Sequence, residues 1–144
     1  MAAKRPSSQS DVLRVAEFRV ALRRFEARSD LAARAAGLTP QRYVLLVAIK
    51  GAPDGSERAS VSELADRLEM PQTTLSDLVT RAEDVGLVVR EPSPVDGRVV
   101  HVRLTEEGDR RLADCLDSLE DDRAELERAL AAATRRIRSI GRSE

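Results

Sequence analysis

Residues 60–105 read SVSELADRLEMPQTTLSDLVTRAEDVGLVVREPSPVDGRVVHVRLT, a stretch whose apolar spacing is first helical and then alternating. Ser60 followed by Glu63 is a capping box, and it predicts the start of a short helix over 61–69. A proline then interrupts the pattern, and apolar side chains at helical spacing predict a second helix over 72–84. Two short helices joined by a tight turn are typical of a helix-turn-helix.

The end of this stretch changes to the period of a β-strand. Residues 87–90 are β-prone, and residues 99–104 place a valine or leucine at every second position. The intervening residues 91–97 contain two prolines and a glycine, which favour a turn. We therefore predict a two-stranded hairpin with an exposed tip. Two helices followed by such a hairpin form a winged helix-turn-helix.

A helix-turn-helix places its second helix in the major groove of DNA, which is wide enough for one helix. The polar side of the predicted helix over 72–84 carries short hydrogen-bond donors and acceptors, which suit base edges and phosphates. The predicted DNA contacts on this helix are Gln72, Thr73, Thr74, Ser76, Asp77 and Arg81. For Arg81, an ion pair with Asp77 one helical turn earlier is an equally good interpretation.

Three more residues are predicted at the DNA surface. Arg98, at the tip of the hairpin, is predicted to enter the minor groove, where a narrow groove concentrates negative potential. A solvated charge on the wing is the alternative for this arginine. Asp96 is predicted to pair with an arginine and to hold the tip in shape. Ser60 is expected to cap its helix first and to contact a phosphate second.

Helical patterns also precede this stretch. An apolar stripe predicts a long helix over 11–36, capped by Ser10 or Asp11. Thr39 precedes a proline, a combination that predicts the N-cap of the next helix. Glycine and proline residues then predict a loop over 51–59.

A last long helix is predicted over 106–140, with Thr105 as its cap. Apolar residues at alternating steps of four and three form a heptad seam, which only Arg123 interrupts. The seam consists of Leu112, Leu116, Leu119, Leu126, Leu130, Ala133, Ile137 and Ile140. Because such a seam needs a partner helix, we expect residues 106–140 to contribute to a homodimer.

Composition and charge limit the class of protein. The chain has 144 residues, of which 42% are hydrophobic and 34% charged, and this suits a single domain over 1–144. No apolar run reaches the ~18 residues that span a membrane, and no secretory signal is expected from the N-terminal residues. The single cysteine, Cys115, cannot form an internal disulfide, so a cytoplasmic protein is expected. Residues 60–104 hold five basic and eight acidic side chains, a balance that opposes DNA binding.

The chain resembles the MarR (multiple antibiotic resistance regulator) family. The matching segments are LTPQRYVLLVAI, SVSELADRLEMPQTTLSDLVTRAEDVGLVVR and DGRVVHVRLTEEG, and the most specific positions are Asp96, Arg98 and Thr105. The resemblance implies a mainly α fold with a small β-hairpin wing (α+β), in which helices 11–36 and 106–140 dimerise and 39–105 form the DNA-binding lobe. It also implies a ligand-responsive repressor that binds a pseudo-palindromic operator and has a pocket for a phenolic or lipophilic effector.

Three aromatic residues are candidates for the effector pocket. Phe18, Phe25 and Tyr43 fall on the first two predicted helices, where a tyrosine hydroxyl at the rim can orient a ligand. Ordinary core or dimer-interface packing is the alternative, because apolar stripes on helices are usually packing surfaces.

Other functional classes have less support. Cys115 is predicted to fill space at a helix interface, and His101 to lie on the surface of the wing. A single histidine and a single cysteine form no usual metal site, and no cofactor is expected. The sequence has no phosphate-binding glycine loop and no histidine-based nucleophile arrangement, so an enzyme is not indicated. A winged-helix module that binds proteins instead of DNA is the second hypothesis.

Overall fold

The computed structural model describes the backbone of residues 8–140 and the side chains of residues 8–134. Helices predominate, with a small antiparallel sheet. The elements are α1 (Gln9–Ala35), α2 (Pro40–Lys50), β1 (Arg58–Ser60), α3 (Val61–Leu68), α4 (Gln72–Asp84), β2 (Val88–Pro92), β3 (Val100–Leu104), α5 (Glu106–Ser118) and α6 (Glu120–Ile140). The predicted mainly α fold with a β wing is thereby confirmed.

Side-chain caps explain where the helices begin. The Thr39 hydroxyl accepts a hydrogen bond from the Arg42 N–H at 3.2 Å, and the Ser60 hydroxyl accepts one from the Glu63 N–H at 3.1 Å. Both predicted caps are confirmed. The predicted cap of α1 is wrong, because the Ser8 hydroxyl accepts from the Asp11 N–H at 3.2 Å and the helix begins at Gln9.

The described residues form a three-stranded sheet in the order β1-β3-β2. The predicted hairpin is present as β2 and β3, whose register places Arg90 opposite Val102. Strand β1 was not predicted and lies at the end of the expected loop over 51–59. It pairs with β3, with Ala59 opposite Val102. A three-residue strand has too short a pattern to be recognised locally, and its hydrogen-bond partners lie some forty residues away.

The prediction of one helix over 106–140 is wrong. The segment forms two helices, α5 and α6, which are separated at Leu119. Acidic residues fill the first turn of α6, where the positive end of the helix dipole stabilises negative charge, so a new helix start is favoured there. The predicted seam positions Ile137 and Ile140 lie outside the residues whose side chains are described.

The chain forms two compact units. One comprises the described residues up to Ser29 and from Ser118 onward, and the other comprises Asp30–Asp117. In the second unit, apolar side chains of α2, α3, α4, α5 and the sheet form the core. Its largest fully buried members are Leu45, Leu46, Ile49, Leu64, Leu75, Val79, Leu87, Val88, Val102 and Cys115.

The first unit contains the N-terminal part of α1 together with α6. Arg28 forms ion pairs with Asp122 and, at 3.7 Å, with Glu125, which connect the two helices. Several apolar side chains of this unit remain substantially exposed, namely Val12, Leu13, Val15, Val20 and Leu130. No helix of the described residues is long and apolar enough to cross a membrane.

Candidate nucleic-acid interface

The turn between α3 and α4 fixes the direction of α4. Glu69 ends α3 in a left-handed conformation with φ 52°, and α4 starts at Gln72. The Gln72 side-chain amide donates a hydrogen bond to the Ser62 hydroxyl at 3.1 Å. On the inner side, Leu75 and Val79 are fully buried. The packed inner side and the turn fix the orientation of α4, so its opposite side faces solvent.

The predicted contact residues of α4 occupy this outer side. Thr73, Thr74, Asp77 and Arg81 are exposed, while Ser76 is half-buried. Arg81 and Asp77 form the ion pair that was one of the two interpretations, with 3.2 Å between Nη2 and Oδ2. Because both side chains are about two-thirds exposed, the pair contributes little to stability. The weakness of this ion pair therefore leaves the Arg81 guanidinium free to exchange partners.

The wing tip is an ordered turn between β2 and β3. The Ser93 hydroxyl accepts from the Val95 and Asp96 N–H groups at 3.2 and 3.3 Å. The Asp96 carboxylate accepts from the Arg98 N–H at 3.1 Å and from the Arg98 Nε at 3.4 Å. The Arg98 side chain is 94% exposed. The tip thus has the shape-holding bonds expected of Asp96 and presents a guanidinium to solvent.

Arg90 was not among the predicted site residues, although it contacts the predicted recognition helix. From β2, its side chain reaches α4, where Nη1 lies 3.3 Å from Glu83 Oε1 and Nη2 lies 3.2 Å from the Ser76 carbonyl. Nη2 also donates to the Thr80 hydroxyl at 3.1 Å. Thr80, which belongs to the polar side of α4, therefore faces β2. Sequence spacing gave no signal for this cluster, because the contact joins a helix to a strand.

Ser60 and His101 face each other across β1 and β3. The Ser60 hydroxyl is used as the cap of α3. His101 is half-buried, and its Nδ1 is buried with no hydrogen-bond partner among the described residues. The prediction that His101 lies on the wing surface is therefore wrong. The sequence predicted β3 as an edge strand, whereas β1 pairs with that edge in the structure.

Local ion pairs occupy most of the positive charge of residues 60–104. Four of the five arginines in this segment pair with carboxylates of the same segment. The pairs are Arg81–Asp77, Arg90–Glu83, Arg98–Asp96 and Arg103–Glu91. The fifth arginine, Arg67, is exposed on α3. The arginines at the predicted DNA contacts therefore carry their own counter-charges, which salt and phosphate groups would compete to replace.

The three candidate ligand residues do not lie in one cavity. Phe25 lines a cavity of about 360 Å³ between α1 and α6, together with Leu13, Val20 and Leu126. Phe18 is half-buried on α1 but is not part of this lining. Tyr43 is half-buried on α2, in the other compact unit. Cys115 is fully buried on α5, which agrees with a packing role. In the described residues, no group of three or more His, Cys, Asp or Glu side chains is placed to hold a metal ion.

Two consecutive helices with a buried inner side and a polar outer side, followed by an antiparallel wing, define a winged helix-turn-helix protein. Residues 36–99 match the sequence model of the MarR family. Over these residues, the winged helix-turn-helix is similar to that of the MarR family, the family that its motifs resemble.

Known proteins show the same similarity. The HTH-type transcriptional repressor MdtR of Bacillus subtilis is 32% identical over 80 residues, which are 56% of this chain and 49% of MdtR, so the chain spans about half the length of this relative. AbsC, a MarR family transcriptional regulator from Streptomyces coelicolor, matches with a TM-score of 0.68 and 22% identity, over 98% of this chain and 100% of AbsC. A mutant MarR from E. coli complexed with operator DNA matches with a TM-score of 0.65 and 20% identity, over 85% of this chain and 89% of that one. These two structures establish the fold.

Proposed function

We propose that this protein is a transcription regulator that binds duplex DNA as a homodimer and represses its target. The observation that carries the proposal is the pairing of two exposed polar elements in one lobe. Helix α4 presents Thr73, Thr74 and Arg81 on its outer side, and the wing presents Arg98 with its side chain 94% exposed. A helix of this kind suits the major groove, and an arginine on a wing suits the minor groove.

The homodimer is supported by the apolar residues that α1 and α6 leave exposed. Leu13, Val15, Val20 and Leu130 are each between 47% and 59% exposed, although all four lie on long helices. A contiguous exposed apolar surface marks a protein interface. A two-fold dimer presents two copies of α4, and such a dimer reads a pseudo-palindromic operator with half-sites about one helical turn apart.

An effector is proposed for the cavity between α1 and α6. Its volume of about 360 Å³ falls within the usual range for small-molecule sites. Phe25, Val20 and Leu126 supply apolar walls. The charged lining is mixed, because Arg24 and Arg28 lie beside Glu17, Asp122 and Glu125, and Arg28 pairs with the last two. This chemistry suits a lipophilic or phenolic compound with a polar group. Binding there would change the equilibrium between dimer geometries that fit and do not fit the operator.

The test is selection of bound fragments from sheared genomic DNA of the source organism by the purified full chain. Enrichment of a pseudo-palindrome, with an affinity that falls steeply with salt, is the expected result. If a folded dimer enriches no sequence at low salt and has no measurable duplex affinity, the DNA-binding proposal is wrong. The acidic balance of residues 60–104 then favours the protein-interaction module. Loss of the enriched complex on addition of phenolic compounds tests the effector separately.

A further inference from the structure

Arg90 connects the two DNA-facing elements of the lobe. Its backbone N–H donates to Glu83 Oε2 at 2.9 Å, and its Nη1 lies 3.3 Å from Glu83 Oε1. Its Nη2 donates to the Ser76 carbonyl at 3.2 Å and to the Thr80 hydroxyl at 3.1 Å. One residue of β2 thus holds positions 76, 80 and 83 of α4, which span two turns of that helix.

The arrangement depends on the shape of the guanidinium. Arginine presents its donors as a planar fork, so it bonds a carboxylate and two helix oxygens at once, whereas a lysine ammonium is a point charge. The Arg90 side chain is only 26% exposed and that of Glu83 37%, so water competes less for these bonds than for the exposed pair at Asp77. The hydrogen bonds are charge-assisted, which makes them stronger than neutral ones.

The position of β2 determines where the wing tip lies. Strand β2 ends at Pro92, and the tip with Arg98 occupies the connection to β3, which begins at Val100. A residue that fixes β2 against α4 therefore fixes the tip relative to the outer side of the recognition helix. In the absence of Arg90, apolar contacts of α4 with the sheet remain, but they are less directional than hydrogen bonds.

We propose that Arg90 is a positioning residue that holds the recognition helix and the wing at one fixed angle, so that the major-groove and minor-groove contacts form together. This inference rests on the proposed DNA binding. Arg90 itself is not proposed to contact the DNA. It positions α4 and the tip that carries Arg98. Replacing it leaves both contact surfaces intact but removes the geometric link between them.

The test compares the effect of Arg98→Ala in three backgrounds: the wild type, Arg90→Lys and Arg103→Lys. Arg103 is the matched control, because it is an arginine on the neighbouring strand that pairs with Glu91 at 2.9 Å rather than with α4. Duplex affinity is measured on the selected operator at fixed salt. In the wild type and in the control, Arg98→Ala should lower affinity by about tenfold or more.

In the Arg90→Lys background, Arg98→Ala should lower affinity less than about twofold, since the unlinked wing no longer engages the groove. Hydroxyl-radical footprints should lose the minor-groove protection of the wing. Methylation by dimethyl sulfate should show that guanine N7 in the major groove remains protected. Equal losses of affinity on Arg98→Ala in all three backgrounds would overturn the inference. It would also be overturned if Arg98→Ala in the wild-type background did not lower the affinity.

A folding control keeps the result interpretable. Thermal unfolding and the oligomeric state of Arg90→Lys are measured beside those of the wild type. If Arg90→Lys does not fold, Glu83→Gln and Thr80→Val remove individual partners of Arg90 with little change in volume, and the same comparison is made in those backgrounds. A wild type that binds no duplex would refute the proposed function itself, which separates that failure from a failure of the positioning role.

Discussion

At the scale of single residues, the two arginines at the predicted DNA contacts have local bonds to carboxylates. Arg98 is almost fully exposed, yet its backbone N–H and its Nε both donate to Asp96. The turn therefore orders the residue before it meets a phosphate or a groove, and this lowers the entropy lost on binding. Arg81 has only a single exposed ion pair with Asp77, which leaves its guanidinium free to exchange partners. The sequence predicted that Asp96 pairs with an arginine and gave the Arg81–Asp77 pair as one of two interpretations, because each pair lies within four positions along the chain.

The wing arginine supports the first prediction. Arg98→Ala should weaken duplex binding by about tenfold or more and reduce the salt slope by about two, because the proposed dimer loses one cationic contact in each subunit. Sedimentation should show the dimer unchanged. Arg128→Ala, an exposed arginine of α6, is the control for the loss of one positive charge. An unchanged affinity and slope for Arg98→Ala would exclude the minor-groove role.

Glu107 supports a prediction on acid stability. Hydrogen bonds from Arg110 and Arg111 lower the pKa of the Glu107 carboxyl from 4.5 to about 2. A carboxyl with a lowered pKa in the folded state stabilises the fold above its unfolded pKa and loses that contribution as the pH falls toward the folded pKa. The stability difference between wild type and Glu107→Gln should therefore be full above pH 4.5 and should shrink toward pH 2. Urea unfolding across this range measures it, and a pH-independent difference would contradict the prediction.

At the scale of elements, local sequence patterns were sufficient to predict an element whose start, end and buried side are set by its own residues. Helix α4 has the bounds that were predicted, because its turn, its apolar spacing and the glycine after it all lie within the segment. Strand β1 and the Arg90 cluster were missed, because each depends on partners distant in sequence. The break at Leu119 was missed for another reason: the heptad spacing continues through it, while the acidic start of α6 outweighs that spacing.

The approach of α5 to the sheet supports a prediction at this scale. A Cβ placed on Gly108 would lie 2.2 Å from the Leu87 carbonyl oxygen, which also accepts the Thr105 N–H at 3.0 Å. Because backbone atoms must shift, Gly108→Ala should destabilise the protein by about 1–3 kcal/mol. Denaturant unfolding measures the change. Gly97→Ala is the matched control, since a Cβ there meets no atom within 4 Å. Equal stability of the two variants would refute the close approach.

At the scale of the whole molecule, the charge is unevenly divided along the chain. Residues 1–50 hold ten basic and four acidic side chains, while the segment with the predicted DNA contacts is net acidic. Total charge therefore says little about DNA binding here, and the local ion pairs of the wing and of α4 say more. A single chain supplies only one lobe, and the proposed dimer would supply the second through the exposed apolar residues of α1 and α6.

This dependence on a second copy gives the last prediction. Val20→Asp combined with Leu130→Asp places charge on two side chains that are 49% and 47% exposed in one chain, so the single chain tolerates them. A dimer would have to bury both charges without partners, and it should dissociate. Val95→Asp is the control, because this side chain is 95% exposed on the wing tip. Sedimentation equilibrium should give monomers for the double variant and dimers for the control. The double variant should also lose operator affinity by far more than a single contact explains, because a monomer engages one half-site at a time. If the double variant remains dimeric, the proposed interface on α1 and α6 is wrong.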